Sequence, residues 1–174
     1  MNNNKSVLVS GAAVFRDYND KIEWLLVKET AENDWEIPKT IVRKGESSVR
    51  AAIRMLGQKG SMTGRVLEEV GRSGGVSTVN GKTVPRRFIY YIMYTKYQSQ
   101  EAIGYAEVAW LEYKNAVKKL PTKKEQTILK DSFDYFKAWK KDGSQQKMEE
   151  EDELLAAQLA EEEAAANPKP EEEV

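Results

Sequence analysis

Two apolar, β-branched runs near the start of this chain predict neighbouring strands. "SVLVSGAAVFRD" (6–17) and "KIEWLLVKET" (21–30) are rich in β-branched and apolar residues and are split by the turn-like Tyr18–Asp20. "ETAENDWEIP" (29–38) reads as a loop, with Pro38 interrupting regular pairing. From Glu46 or Ser47 the period becomes helical. Val49, Ala52, Ile53 and Leu56 fall at i, i+3, i+4 and i+7 and predict a buried stripe. Ser47 or Ser48 is placed to cap this helix, Gly57 weakens it by about 1 kcal/mol relative to alanine, and Gly60 is placed to end it.

"TGRVLEEVGRSGG" (63–75) reads as a strand closing on a Gly-Gly turn, and Asn80-Gly81 is a two-residue hairpin signal. "RRFIYYIMYTKY" (86–97) is the clearest strand in the chain, and "YAEVAWLEY" (105–113) is another. "KNAVKKL" (114–120) predicts a short helix halted by Pro121. Ile128, Leu129, Phe133, Phe136 and Trp139 then space out a packed amphipathic helix. Beyond "DGSQQ" the composition becomes acidic, alanine-rich and too poor in apolar residues for a core, so this tail is expected to be disordered or partly helical, with Leu154, Leu155 and Leu159 on any helix. The expected organisation is therefore a domain over residues 1–142 and an acidic low-complexity tail over 143–174. Strands joined mostly by hairpins, around one central helix with a second after the last strand, predict an α/β sandwich around a mixed sheet rather than a doubly wound one.

Composition narrows the chemistry. The 174 residues include no cysteine and no histidine, which removes disulfides, thiolate zinc sites, cysteine nucleophiles and histidine bases. Catalysis would have to rest on carboxylates, lysine, tyrosine or a hard metal held by carboxylates. No stretch approaches the roughly 20 apolar residues of a membrane span, and the polar start does not read as a signal peptide, so a cytoplasmic protein without a membrane partner is expected. The net charge of −1 conceals a basic body (+9 over residues 1–148) and an acidic tail (−10 over 149–174). That asymmetry suits anionic ligands such as polyphosphate or RNA, and equally suits simple solubility.

Between Trp35 and Met62 the order "WEIPKTIVRKGESSVRAAIRMLGQKGSM" resembles the Nudix family. Its signature, G-x5-E-x7-R-E-U-x-E-E-x-G-U with U aliphatic, is matched here by Glu46, Arg54, Leu56 and Met62. It is not matched by Thr40, Met55, Gln58, Lys59 and Ser61. "WEIPK" is similar to the W-x-x-P-K segment of the branch that includes diadenosine tetraphosphate hydrolases, and "GES" with "AAIR" and "AWLEYKNAVKKL" resemble further family segments. The resemblance implies a Nudix-like α/β/α sandwich that handles a nucleotide, a dinucleoside polyphosphate or a related phosphoanhydride, or an RNA end, with magnesium as cofactor if the chain is active. Positions 55, 58 and 59 share one helix face, and three carboxylates there would hold magnesium through oxygen ligands. Methionine, glutamine and lysine instead describe a degenerate site, with Glu46 as the remnant of the catalytic set and Arg54 as its structural partner.

The remaining site residues follow from charge and position. Lys39 is expected at phosphate by the W-x-x-P-K resemblance, and Arg43 lies on the same helix-entering loop. Lys59 reads either as a cation standing in for the metal or as a surface lysine. Arg86 and Arg87 open the long strand, and their opposite directions allow at most one to line a given site. Trp35 and Tyr91 are the base-stacking candidates, weighed against core or sheet-surface roles. Glu68, Glu69, Glu101 and Glu107 are carboxylates outside the signature without an evident cluster. Three functions follow: a binding protein with lost or weak hydrolysis, an active magnesium-dependent hydrolase, or a scaffold whose acidic tail engages a protein partner.

Overall fold

A computed structural model describes residues 6–98 and 101–167. In chain order it contains β1 (Val7–Tyr18), β2 (Lys21–Lys28), β3 (Lys39–Ile41), α1 (Ser48–Gly60), β4 (Met62–Val79), β5 (Lys82–Gln98), β6 (Glu107–Glu112), α2 (Tyr113–Lys119), α3 (Lys123–Lys141) and α4 (Ser144–Ala166). One compact unit ends at Asp134 and a second begins at Tyr135. Among the described residues no helix is long and apolar enough to cross a membrane.

The first unit is built on a six-stranded mixed sheet of order β4-β5-β1-β2-β6, with β3 pairing β1 off that path. β1 runs parallel to β5 and antiparallel to β2 and β3. The β1–β2 turn is Asn19-Asp20, both residues at positive φ (51° and 61°), the conformation a tight two-residue hairpin requires. Asn80-Gly81 repeats the device between β4 and β5.

Alternation along the strands divides the side chains between two layers. Ala12, Val14, Leu25, Val27, Tyr91 and Met93 face α1, where they form one core with Ala52, Met55 and Leu56. The alternate residues Phe15, Trp24 and Tyr94 form an aromatic chain on the other face, which Phe133 of α3 joins at 6.4 Å from Trp24. The result is the expected α/β/α sandwich. Ser47 caps α1 by accepting the Arg50 N–H, and Ser61 closes its other end in the left-handed conformation.

Three expectations need correction. Ile53 is 45% exposed, and Met55 takes its place in the stripe with Ala51, Ala52 and Leu56. β4 does not turn at Gly74-Gly75; it continues in register with β5 as far as Val79. Lys39–Ile41, expected to be loop, pairs with β1 as a short strand. Of the two forms expected for the tail, the described part takes the helical one, a 23-residue helix from Ser144 to Ala166 that carries Leu154, Leu155 and Leu159, and residues 168–174 lie outside the described residues.

Candidate functional site

Two neighbourhoods of the first unit gather the chemistry, and they lie on opposite faces of the sheet. The first surrounds α1. Glu46 accepts two hydrogen bonds from the Arg54 guanidinium, at 2.7 Å and 3.0 Å, and one from the Arg43 N–H at 2.9 Å. Arg54 also reaches the Ile41 carbonyl at 3.1 Å, tying β3 to the helix. Hydrogen bonds from Arg54, then that from the Arg43 backbone, hold the Glu46 carboxyl down at about 2. The pair expected from the sequence is present, and its geometry is that of a loop clamp. The Arg43 side chain is exposed on that loop.

Positions 55, 58 and 59 do not share an open face. Met55 is 1% exposed inside the core, whereas Gln58 is exposed. Lys59 is neither a free cation nor a loose surface lysine: its ammonium lies 2.6 Å from Glu29 and 4.8 Å from the centre of the Tyr105 ring. Residues 101–105 fold over this end of α1. Gly104 donates its N–H to the Lys59 carbonyl at 3.1 Å, Ser61 donates its hydroxyl to the Glu101 carbonyl, and Ala102 and Tyr105 enter the α1 core. Gly104 is needed for this approach, because a Cβ there would stand 2.5 Å from Lys59 Cα. Burial pushes the Tyr105 phenol up, and its hydroxyl finds no partner among the described residues.

This donor set does not fit a magnesium ion. Magnesium takes hard oxygen ligands in octahedral array, and here a buried thioether, an exposed amide and a paired ammonium occupy the three positions. Among the described residues no group of three or more acidic side chains is placed to hold a metal. Glu69 is engaged by Arg72 and Glu107 by Lys28, so neither supplies a substitute cluster.

The second neighbourhood is a cavity of about 500 Å³ on the α3 face, lined by Trp35, Lys39, Phe88, Tyr90, Lys124 and Glu125, with Glu32, Asn33, Asp34, Glu36, Pro121 and Thr122 completing the wall. Phe88 and Tyr90, two apart on β5, present near-parallel rings 6.3 Å apart. Gly11 lies against Tyr90 so closely that a Cβ would overlap the ring. Burial raises the Tyr90 phenol to about 12.

Lys39 enters this cavity, but its charge is already matched. It bridges Glu36 at 3.0 Å and Glu125, while the other Glu125 oxygen accepts the Ile37 N–H at 3.0 Å. Burial opposes the Lys39 charge, and the attraction of Glu125 and Glu36 outweighs it, leaving the ammonium harder to deprotonate. A ligand phosphate would have to displace these carboxylates, so Lys39 is a structural link in this conformation. Trp35, one of the two base-stacking candidates, lines the cavity, with Lys28 and Lys119 at 5.2 Å and 4.7 Å from its ring centre.

The other candidates lie elsewhere. Tyr91 is a correction: it is 6% exposed, belongs to the α1 core and bonds Ser48 through its hydroxyl at 2.6 Å, which leaves no face for a base. Arg86 donates to the Ser77 hydroxyl across the β4–β5 hairpin, Arg87 is exposed, and neither lines the cavity. Sequence reasoning missed Lys124, Phe88 and Glu125. Their signal was weak: a Lys-Lys-Glu run just after Pro121 reads as the first turn of any helix.

No protein-family model matches the chain, and no curated protein sequence matches it either. Solved structures do. A Caenorhabditis elegans Ap4A hydrolase in a binary complex is 24% identical with a TM-score of 0.59, the match covering 76% of this chain and 98% of that one. The NUDIX domain of Shewanella oneidensis NrtR complexed with ADP ribose is 16% identical with a TM-score of 0.61, covering 76% and 89%. The Escherichia coli dihydroneopterin triphosphate pyrophosphohydrolase is 9% identical with a TM-score of 0.55, covering 70% and 91%. At these identities the likeness is one of fold, and the fold of this chain is the Nudix fold.

Proposed function

We propose that this Nudix-fold protein binds a nucleotide, a dinucleoside polyphosphate or a related phosphoanhydride and has lost hydrolysis, or retains only a trace of it. The observation that carries the proposal is the state of the α1 face: Met55 is in the core, Lys59 is paired with Glu29, and Ala102 and Tyr105 pack over the same end of the helix. Metal-assisted phosphoanhydride hydrolysis needs a metal, held by oxygen ligands, that polarises the phosphoryl group and activates water, and this face offers only the Gln58 amide oxygen and a Glu29 carboxylate already paired with Lys59, with no cluster of three among the described residues. The cavity beside Trp35 supports the binding half of the reading. It combines aromatic rings with ammonium groups at a size suited to a base and sugar.

The test is a thermal-shift and calorimetric series with adenosine monophosphate, ADP ribose and diadenosine tetraphosphate, each with and without magnesium, beside an assay for released phosphate and nucleoside monophosphate. Binding of at least one of these without magnesium, and turnover of none, is expected. Magnesium-dependent turnover that disappears in Glu46→Gln would instead make this chain a working hydrolase.

One observation favours a second reading, a scaffold. Leu154, Leu155 and Leu159 are each more than half exposed on an acidic α4. Deleting residues 149–174 should then remove a protein partner in a pull-down while leaving the melting temperature of the first unit unchanged.

A further inference from the structure

We infer that the cavity beside Trp35 takes a nucleoside carrying a single phosphate, received by Lys124, and turns away longer polyphosphates; this rests on the nucleotide-binding reading above and narrows it.

Four carboxylates and two ammonium groups line the cavity, a formal charge of −2. One ammonium, that of Lys39, is already consumed by Glu36 and Glu125. Lys124 is held differently. Its ammonium donates to the Gly74 carbonyl at 3.1 Å and lies 4.2 Å from the centre of the Phe88 ring, and among the described residues no carboxylate forms a salt bridge with it. A carbonyl and a ring are neutral partners that an anion can outbid, because a charge-assisted hydrogen bond is roughly twice as strong as a neutral one. Burial, then the charge of Lys39, makes the Lys124 ammonium easier to deprotonate, a penalty that an arriving anion relieves.

Position fits the same assignment. Lys124 lies over the half-buried Phe88 ring, and Tyr90 behind it is fully buried and offers no face, so a base seated against the exposed ring surface of Trp35 or Phe88 would leave its phosphate to the Lys124 ammonium. One cation can match one phosphate. Each further phosphate would add negative charge beside Glu32, Asp34, Glu36 and Glu125, and among the described lining residues there is no second unengaged cation; Lys119, over the Trp35 ring, lies outside the lining. Rejection of the longer ligand therefore comes from repulsion, the usual source of discrimination between chemically similar ligands.

The experiment is calorimetry on the full chain at low ionic strength without metal. Nucleoside monophosphates of the four bases are titrated first, followed, for the tightest base, by its nucleoside, its triphosphate and its dinucleoside tetraphosphate. The monophosphate is expected to bind at least about tenfold more tightly than either the nucleoside or the triphosphate, the gain from one charged hydrogen bond. Lys124→Gln should erase the advantage over the nucleoside without changing nucleoside affinity, and Lys124→Arg should keep most of it. Lys124 is exposed, so both variants are expected to melt as the parent does. Tighter binding of the triphosphate or tetraphosphate, or full monophosphate affinity in Lys124→Gln, overturns this inference and leaves the broader reading standing. Absence of binding by every nucleoside and nucleotide overturns both.

Discussion

Replacing Met55 by glutamate, the residue that the Nudix signature has there, tests whether the α1 face is closed. The side chain is 1% exposed among Ala12, Val14, Leu25, Tyr91 and Tyr105. Glutamate is similar in length, so the cost lies in its charge more than in its volume. A fully buried carboxyl is raised by roughly 3–5 units, from about 4.3 to about 8. The folded state then prefers the proton, so the penalty is absent below the unfolded pKa and grows as pH rises toward the folded one. At about 1.36 kcal/mol per unit this gives about 1 kcal/mol at pH 5 and about 4 kcal/mol at pH 7. Urea unfolding of Met55→Glu at the two pH values should show that difference of about 3 kcal/mol, a large share of a domain stability of about 5–15 kcal/mol. Met55→Gln, which cannot ionise, should lose stability equally at both, and Met55→Leu should cost less than about 1.5 kcal/mol. Equal loss for the glutamate variant at pH 5 and pH 7 would mean that its carboxylate reaches water, and the closed face would be wrong. The same reasoning predicts that restoring all three glutamates does not restore a metal site. It would bury one carboxylate, set another against Glu29 and weaken the fold first.

Other perturbations probe single contacts. Glu46→Gln should flatten the acid limb of stability: the wild-type Glu46 carboxyl is held at about 2, so its contribution is present above about 4.5 and is lost as pH falls toward 2, a window that acid titration followed by circular dichroism resolves. Lys39→Met leaves Glu125 buried without its cation and should cost about 3 kcal/mol or more in urea unfolding, whereas a purely ligand-binding lysine would cost almost nothing. Tyr105→Phe removes a buried hydroxyl without a partner among the described residues and should be neutral or raise the melting temperature. Gly104→Ala forces the segment over α1 away from Lys59, an overpacking change expected to cost about 1–3 kcal/mol in the same assay.

Legibility in the sequence followed the range of the interaction. Asn80-Gly81, the strand over residues 86–97 and a serine cap at Ser47 or Ser48 are local, and each is legible from neighbours in the chain, with Ser47 the serine that caps. The Glu46–Arg54 pair also spans only eight residues. Ile53 failed because four apolar residues at helical spacing do not say which way a helix is turned. Packing of Met55 and Leu56 against β1 and β5 decides that. Gly74-Gly75 suggested a turn because two glycines permit one, but pairing with Arg86 and Arg87 holds them extended. Lys39 and Lys59 look alike as isolated cations in the sequence. Their neutralisation depends on Glu125 and Glu29, which are 86 and 30 residues away and carry no local mark of the partnership. Lys124 stayed hidden for the same reason, since its meaning comes from Phe88 and Gly74 across the sheet.

The β4 strand would bear on how copies of this molecule meet in a concentrated sample. It is one border of the sheet, and its pairing with β5 is irregular between Thr63 and Gly71, where three register shifts break the ladder. Such breaks make the outer backbone a poor template for another chain. Past Gly71 the pairing is regular to Val79, and Val76 is 71% exposed on that stretch. Self-association, where it arises, therefore has an address at the hairpin tip, and a charge introduced at Val76 is the economical way to keep the protein monodisperse without touching the cavity.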